Sequence, residues 1–407
     1  MGRPRVRSQS SYRSADYMPP RKKTRSQRPS AKGKRRHGYR LAGAVLFLLG
    51  FLLISLILLA EMRQSWRSSS PVPAPPPAAT PPAATHEELL ADLRVEVESA
   101  LLRGGISLAD LQVTEREGVL RIKIRGAFLN ASITDELRHR LERVSAGISL
   151  RVLPKEKELH VLRQGELKLL LLFAPPTEVR PPQRKPHLAI IMDDLGRDLK
   201  TAKALLAIDL PVTFAVLPWE AEATRVAALG HSQGREILIH LPMEPKSYPL
   251  TDPGPQALLL DLPAEEIERR FRGFIERVPH AVGGNNHMGS RFTEDRPAMT
   301  AILSLLKESN LFFVDSMTTN GSVGIEEAGR LGIRAIARDL FLDNVQETER
   351  IAQEIRRLAV LAGRKGQAVG ICHPYPETLE ALRREAPRLK EMGIEVVPVS
   401  KLVNRNP

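Results

Sequence analysis

From His187 to the end of the chain, short apolar runs alternate with helical stretches eight times, and nearly every run stops at a residue able to bind a metal or move a proton. Strands are expected near 187–192, 212–217, 236–241, 281–284, 311–315, 333–337, 367–372 and 394–399. Between them lie helices such as Val345–Ala362, whose Ile351, Ile355, Leu358, Ala359 and Ala362 form one apolar stripe. Eight β/α repeats over 187–407 predict an α/β fold, a distorted (β/α) barrel of seven or eight strands. In such a fold the C-terminal ends of parallel strands open onto one face, so side chains distant in sequence can converge there.

The rim residues define a candidate hydrolytic metal site. Asp193 and Asp194 end the first apolar run and should point different ways, because successive side chains alternate along a strand. Adjacent carboxylates repel unless a cation intervenes, so one Asp can ligate while the other takes a proton from water; a helix N-cap is the plain alternative. His240 and Glu244 share a proline-stiffened loop after the third run, and imidazole and carboxylate are ordinary zinc ligands. His287, in Gly283-Gly-Asn-Asn-His-Met-Gly-Ser-Arg with Asn286 beside it, is open between third ligand and substrate contact. His373 ends the seventh run, where it could protonate a leaving group, or else be a satisfied core histidine. Asp315, Arg338 and Asp339 occupy equivalent rims, an Arg338–Asp339 ion pair being their ordinary explanation. Trp219 could stack on a sugar or simply pack. Cys372 is the only cysteine, which excludes an intrachain disulfide. It should be a small buried apolar group.

The chain before His187 reads as a series of modules. Residues 1–40 hold fourteen Lys/Arg and one Asp, which accounts for the whole net charge of +13. The rest is balanced, 46 basic against 46 acidic residues, so nucleic-acid binding by the folded part is not favoured. Leu41–Ala60 is uncharged throughout, long enough as a helix to span roughly 30 Å of hydrocarbon. It is followed by Glu61-Met62-Arg63 rather than a small-residue cleavage site, as expected of a retained single-pass anchor. The cations before it place the N-terminus in the cytoplasm and the rest in the periplasm or outside, the tail resting on anionic inner-membrane lipid. Residues 61–85 form a stalk, with seven prolines between Ser68 and Thr85. A small α+β domain over 86–174 follows, with helices at His86–Arg103 and Thr134–Val144 and strands at Val119–Arg125, Ser149–Val152, Leu159–Leu162 and Leu167–Phe173. Its His139 and His160 lack neighbouring ligand types, so it reads as a spacer or partner-binding module. A second proline cluster makes 175–186 a linker.

The motifs IIMDDLG, EILIHLPMEP, GGNNHMGSRFTED, FFVDSMTT and ICHPYPETLEAL, in this order from His187 to Val403, resemble the divergent polysaccharide deacetylases, a branch of the metal-dependent carbohydrate deacetylases. The resemblance implies that Asp193 is the catalytic base, Asp194 and His240 metal ligands and His373 the general acid. Ordinary deacetylases carry a second histidine where this chain has Glu244, which leaves the third ligand open between Glu244 and His287. The expected activity is removal of N-acetyl or O-acetyl groups from a cell-envelope polysaccharide, with zinc or another divalent ion as cofactor. The rival is a catalytically silent barrel that binds glycan strands or an envelope protein. A phosphoesterase or a glycoside hydrolase suits a single Asp-Asp cluster with three rim histidines less well.

Overall fold

The computed structural model describes residues 85–175 and 185–403, together with helical positions at 50, 52 and 55. The basic tail, most of the Leu41–Ala60 span, the stalk and most of the linker lie outside the described residues. Among the described residues no helix is long and apolar enough to cross a membrane. Ala83–Pro407 forms one compact unit.

The first part of that unit starts with the helix His86–Arg103, set by a capping box in which the Thr85 hydroxyl and the Glu88 carboxylate exchange backbone hydrogen bonds. Its Leu89, Leu93, Val97 and Leu101 are buried. Five strands follow: β1 (Gln112–Arg116), β2 (Val119–Arg125), β3 (Ile148–Leu153), β4 (Glu158–Arg163) and β5 (Glu166–Ala174), in the spatial order β1-β2-β5-β4-β3. A second helix, Ala131–Val144, crosses between β2 and β3. Strand β1 goes unrecognised in the sequence because Gln112-Val-Thr-Glu-Arg offers a single apolar residue; it is held by its antiparallel ladder to β2.

The second part is one curled parallel sheet. Its strands are β6 (His187–Leu195), β7 (Thr213–Val216), β8 (Ile237–Met243), β9 (Ala281–Met288), β10 (Phe312–Asp315), β11 (Ala335–Ala337), β12 (Leu340–Phe341), β13 (Gln367–Cys372) and β14 (Glu395–Val396). They run β11-β10-β9-β8-β7-β6-β13-β12, with β14 pairing the start of β6. The expected barrel of seven or eight strands is therefore a half-barrel of nine. Its end strands β11 and β12 are not paired with each other, and β12 is too short to leave a hydropathy signal. The chain itself crosses from one end strand to the other: the Arg338 N–H donates to the Asp315 carbonyl of β10 (2.9 Å), whereas Asp339 extends the β12–β13 ladder, its N–H donating to the Val369 carbonyl (2.8 Å) and its carboxylate accepting from the Val369 N–H (2.9 Å).

Strand β9 reaches β10 closely because Gly283 carries no side chain: a Cβ there would lie 2.7 Å from the Phe312 ring. The two parts share one continuous apolar core. Their junction is the helix His86–Arg103 against the barrel helix Thr348–Lys365, where Arg356 is buried between Glu96 (2.9 Å) and Glu385 (3.0 Å). The small part is thus packed on the half-barrel and does not hang from it.

Candidate metal centre and cleft

Strand β6 carries the fully buried run Leu188–Met192 into Asp193-Asp194. A regular strand would send these two carboxylates to opposite faces. Instead the register with β7 breaks between Met192 and Leu195, and Asp194 takes φ 55°, in the left-handed region. The bulge turns both groups to the same point, with Asp193 Oδ2 3.5 Å and Asp194 Oδ1 3.2 Å from His240 Nε2. The expectation that they diverge is corrected by this one irregularity.

Strands β8 and β9 supply the histidines. In their register His240 lies opposite Asn285, and Pro242 opposite His287. His240 Nδ1 donates to Asn285 Oδ1 at 3.0 Å, and the Asn285 amide donates to Asp193 Oδ1 at 2.8 Å and Ser316 Oγ at 3.2 Å. That chain fixes the ring and leaves Nε2 facing Asp194. His287 Nδ1 is 3.0 Å from Asp194 Oδ1 and 3.1 Å from His240 Nε2. These three ligand atoms lie within 4.8 Å of one another.

Asp194 Oδ1 is buried and accepts no well-aligned hydrogen bond, although two imidazoles touch it. Three lone-pair atoms facing one another around such an orphan suit a divalent cation. Without one, the site holds charge by proton. Burial disfavours charging His240, but the Asp193 and Asp194 carboxylates outweigh it and raise its pKa. Burial likewise works against Asp194, whose carboxyl the two imidazoles nevertheless hold well below the usual range. Asp193 is different: burial dominates and raises its pKa, against the pull of His240 and His373.

His373, after β13, is held by a carboxylate that the sequence reading missed. Asp343 Oδ1 is 3.0 Å from His373 Nδ1, while its Oδ2 accepts from the His373 N–H (2.5 Å) and the Thr378 hydroxyl (2.9 Å). Burial disfavours the imidazolium, yet the hydrogen bond to Asp343 and the charges of Asp343, Asp193 and Asp194 push its pKa up to about 9. The signal for Asp343 was present, since it follows Leu340-Phe341-Leu342 as the other rim carboxylates follow their strands. The run is only three residues long, too short to stand out as a strand in the sequence.

Other expected residues stand apart from this cluster. Glu244 is buried, but its carboxylate is taken by the Leu260 N–H (2.7 Å) and by Arg291 (2.7 Å), so it organises the loop after β8 and does not face the three ligand atoms. Asn286 turns into its own loop, donating to the Met288 carbonyl and accepting from the Ser316 N–H, both at 2.8 Å. Asp315 accepts from Ser322 Oγ (2.6 Å) and the Met317 N–H (2.9 Å), which pins the loop after β10; burial raises its pKa. The expected Arg338–Asp339 ion pair is absent. Asp339 pairs with Lys365 at 3.0 Å, and the Arg338 guanidinium lies 3.8 Å over the Phe341 ring while donating to the carbonyls of Ser316 (2.7 Å) and Met317 (2.8 Å). Alternation sends 338 and 339 opposite ways across the seam. Cys372 is fully buried.

Two hollows meet at the cluster. One, of about 510 Å³, is walled by Trp219, Pro242, Asp252 and His287; the other, of about 360 Å³, by Thr201, His373 and Tyr375. Both include Asp194 and Arg197. Trp219 is 37 % exposed, packed edge-on against Phe274 (6.4 Å between centroids), and so offers part of a ring to the larger hollow.

The fold and site together define a curled parallel α/β sheet with an Asp/His/His cluster that could hold a metal, and a carboxylate-held histidine, at its C-terminal rim. The chain belongs to the divergent polysaccharide deacetylase family, whose profile matches residues 190–403. It is 35 % identical over 236 residues to YibQ of Escherichia coli, a match covering 58 % of this chain and 73 % of that protein. A Haemophilus influenzae protein is 32 % identical over 244 residues, covering 60 % of this chain and 86 % of that one. The crystal structure of ATU2773 from Agrobacterium tumefaciens superposes with a TM-score of 0.53 at 26 % identity, over 55 % of this chain and 92 % of that one. Residues 86–174 lie outside the matched family region.

Proposed function

We propose that this protein is a metal-dependent hydrolase that removes acetyl groups, N-linked in the first instance, from a cell-envelope polysaccharide. The observation that carries the reading is the convergence of Asp194 Oδ1, His240 Nε2 and His287 Nδ1 beside a buried Asp193 and a His373–Asp343 pair. A divalent cation, zinc by its preference for imidazole and carboxylate, would be held by Asp194, His240 and His287 and would supply Lewis acidity and an activated water. Asp193, its proton affinity raised by burial, is placed to accept a proton from the attacking water. His373, kept protonated at neutral pH by Asp343, is placed to give a proton to the departing amine. The two hollows flanking Asp194 would take the sugars on either side of the acetylated unit. With Leu41–Ala60 as anchor, this chemistry would be displayed on the outer side of the inner membrane.

The test is paired. Elemental analysis of the purified protein should find a divalent transition metal, lost in Asp194→Ala and His240→Ala. Asp193→Asn should retain the metal and lose about 10²–10⁴-fold in acetate release from N-acetylated glycan fragments. Metal-loaded wild-type protein that binds such fragments but releases no acetate would establish the silent binder instead.

A further inference from the structure

The sheet of the small part has two unlike faces. Leu120, Ile122, Ile124, Leu159, Val161, Leu169 and Leu171 pack inward under the two helices. The residues of the other face are exposed or half-buried. Its cross-strand rows follow from the register: Thr114, Arg121, Leu170, His160 and Arg151 form one, and Gln112, Lys123, Leu172, Glu158 and Leu153 the next. Arg116 and Arg125 extend it on β1 and β2. Arg116, Arg121, Lys123, Arg125 and Arg151 are all exposed, and among the described residues none is in an ion pair. Two acids of the face are engaged, Glu158 by His160 (2.7 Å) and Glu166 by Lys168 (3.0 Å), while Glu115 on β1 and Glu117 and Glu156 in the neighbouring turns are exposed. Beyond residue 40 the chain carries equal numbers of acidic and basic residues, so this concentration of cations is a local asymmetry.

We propose that this uncovered face of β1–β5 docks on an anionic phospholipid bilayer, with the cations against headgroup phosphates and Leu153, Leu170 and Leu172 against the interface. Two features choose lipid over other anionic partners. The face presents no Trp, Tyr or Phe, the side chains that stack on sugars and anchor protein interfaces. Its cations repeat every second residue along β2, about 6.5–7 Å apart, on long side chains that no partner orients, which suits a fluid array of headgroups more than one fixed carboxylate. Docked in this way, the small part would hold the half-barrel at a set distance from the bilayer, since the two share one core.

The experiment uses the compact unit from residue 83 to 407, free of the basic tail, in sedimentation with mixed phosphatidylglycerol–phosphatidylcholine vesicles. Binding is expected to the mixed vesicles, to be absent with phosphatidylcholine alone, and to fall with salt. Arg121→Glu/Lys123→Glu/Arg125→Glu should weaken it at least about tenfold, since each cation near a charged bilayer contributes severalfold. The neutral Gln triple variant should lie between, and covers the case in which the Glu variant fails to fold. Reversal of Lys203, Lys390 and Lys401, which are exposed elsewhere, should leave binding unchanged. The proposal is overturned if the wild-type unit ignores the mixed vesicles, if the β2 variants bind as wild type, or if the unit prefers a soluble polyuronate to the vesicles.

Discussion

His373 and Glu244 are each set by a neighbour, with opposite consequences for the site. His373 owes its raised pKa to Asp343, so Asp343→Asn should bring the alkaline limb of the pH–kcat profile down from about 9 toward the ordinary imidazole range. The same shift has a stability consequence of definite sign. Folding favours the charged form, so the stabilisation is complete below about 6.5, the unfolded value, and disappears as pH rises through about 9. Melting temperatures of wild type and Asp343→Asn should therefore converge at high pH and separate below neutrality. Glu244 behaves oppositely to a ligand. Glu244→Ala should leave metal binding intact by calorimetry while costing about 1–3 kcal/mol in stability, because the half-buried Leu260 N–H and the Arg291 guanidinium lose their acceptor. Loss of metal in that variant would return Glu244 to the candidate ligands.

At the scale of elements, the β6 bulge and the β9–β10 approach position the site. Gly283→Ala would drive a Cβ to within 2.7 Å of the Phe312 ring, and should cost about 1–3 kcal/mol in urea unfolding. Because Asn285 and His287 lie just beyond on the same strand, metal affinity should fall with it. An unaffected affinity would show that β9 yields at Gly283 and keeps its rim in place. Strand termini follow the same logic throughout. Apolar runs predict where strands lie, yet β6, β8 and β9 extend past them through Asp194, Met243 and Met288, since ladder hydrogen bonds do not require apolar side chains.

For the whole molecule, the buried cation Arg356 joins the small part to the half-barrel through Glu96 and Glu385. Arg356→Met takes the shared cation from both buried carboxylates and leaves Glu385 to Arg388 (2.6 Å) and Glu96 to Arg140 (3.5 Å), so it should destabilise by less than the roughly 3–5 kcal/mol of a wholly unpaired buried charge. Since one apolar core runs through both parts, wild type should unfold in a single transition, whereas two separated transitions in urea would mark the parts as independent.

What the sequence determined by itself is the part governed by local pattern. The alternation of apolar runs with amphipathic helices defined the α/β class, and the rim chemistry pointed to Asp193, Asp194, His240, Glu244, His287 and His373 as one set. The tertiary structure decided what depends on contacts between distant segments. It chose His287 over Glu244 beside Asp194, because Arg291 and the Leu260 N–H already occupy the Glu244 carboxylate. It brought in Asp343, stopped the sheet short of closing, and turned two adjacent aspartates to one point through a bulge that no periodicity announces. Periodicity reports which side of an element is buried, whereas the partner of a buried polar group is set by whichever segment arrives opposite it, and that is known only once the chain has folded.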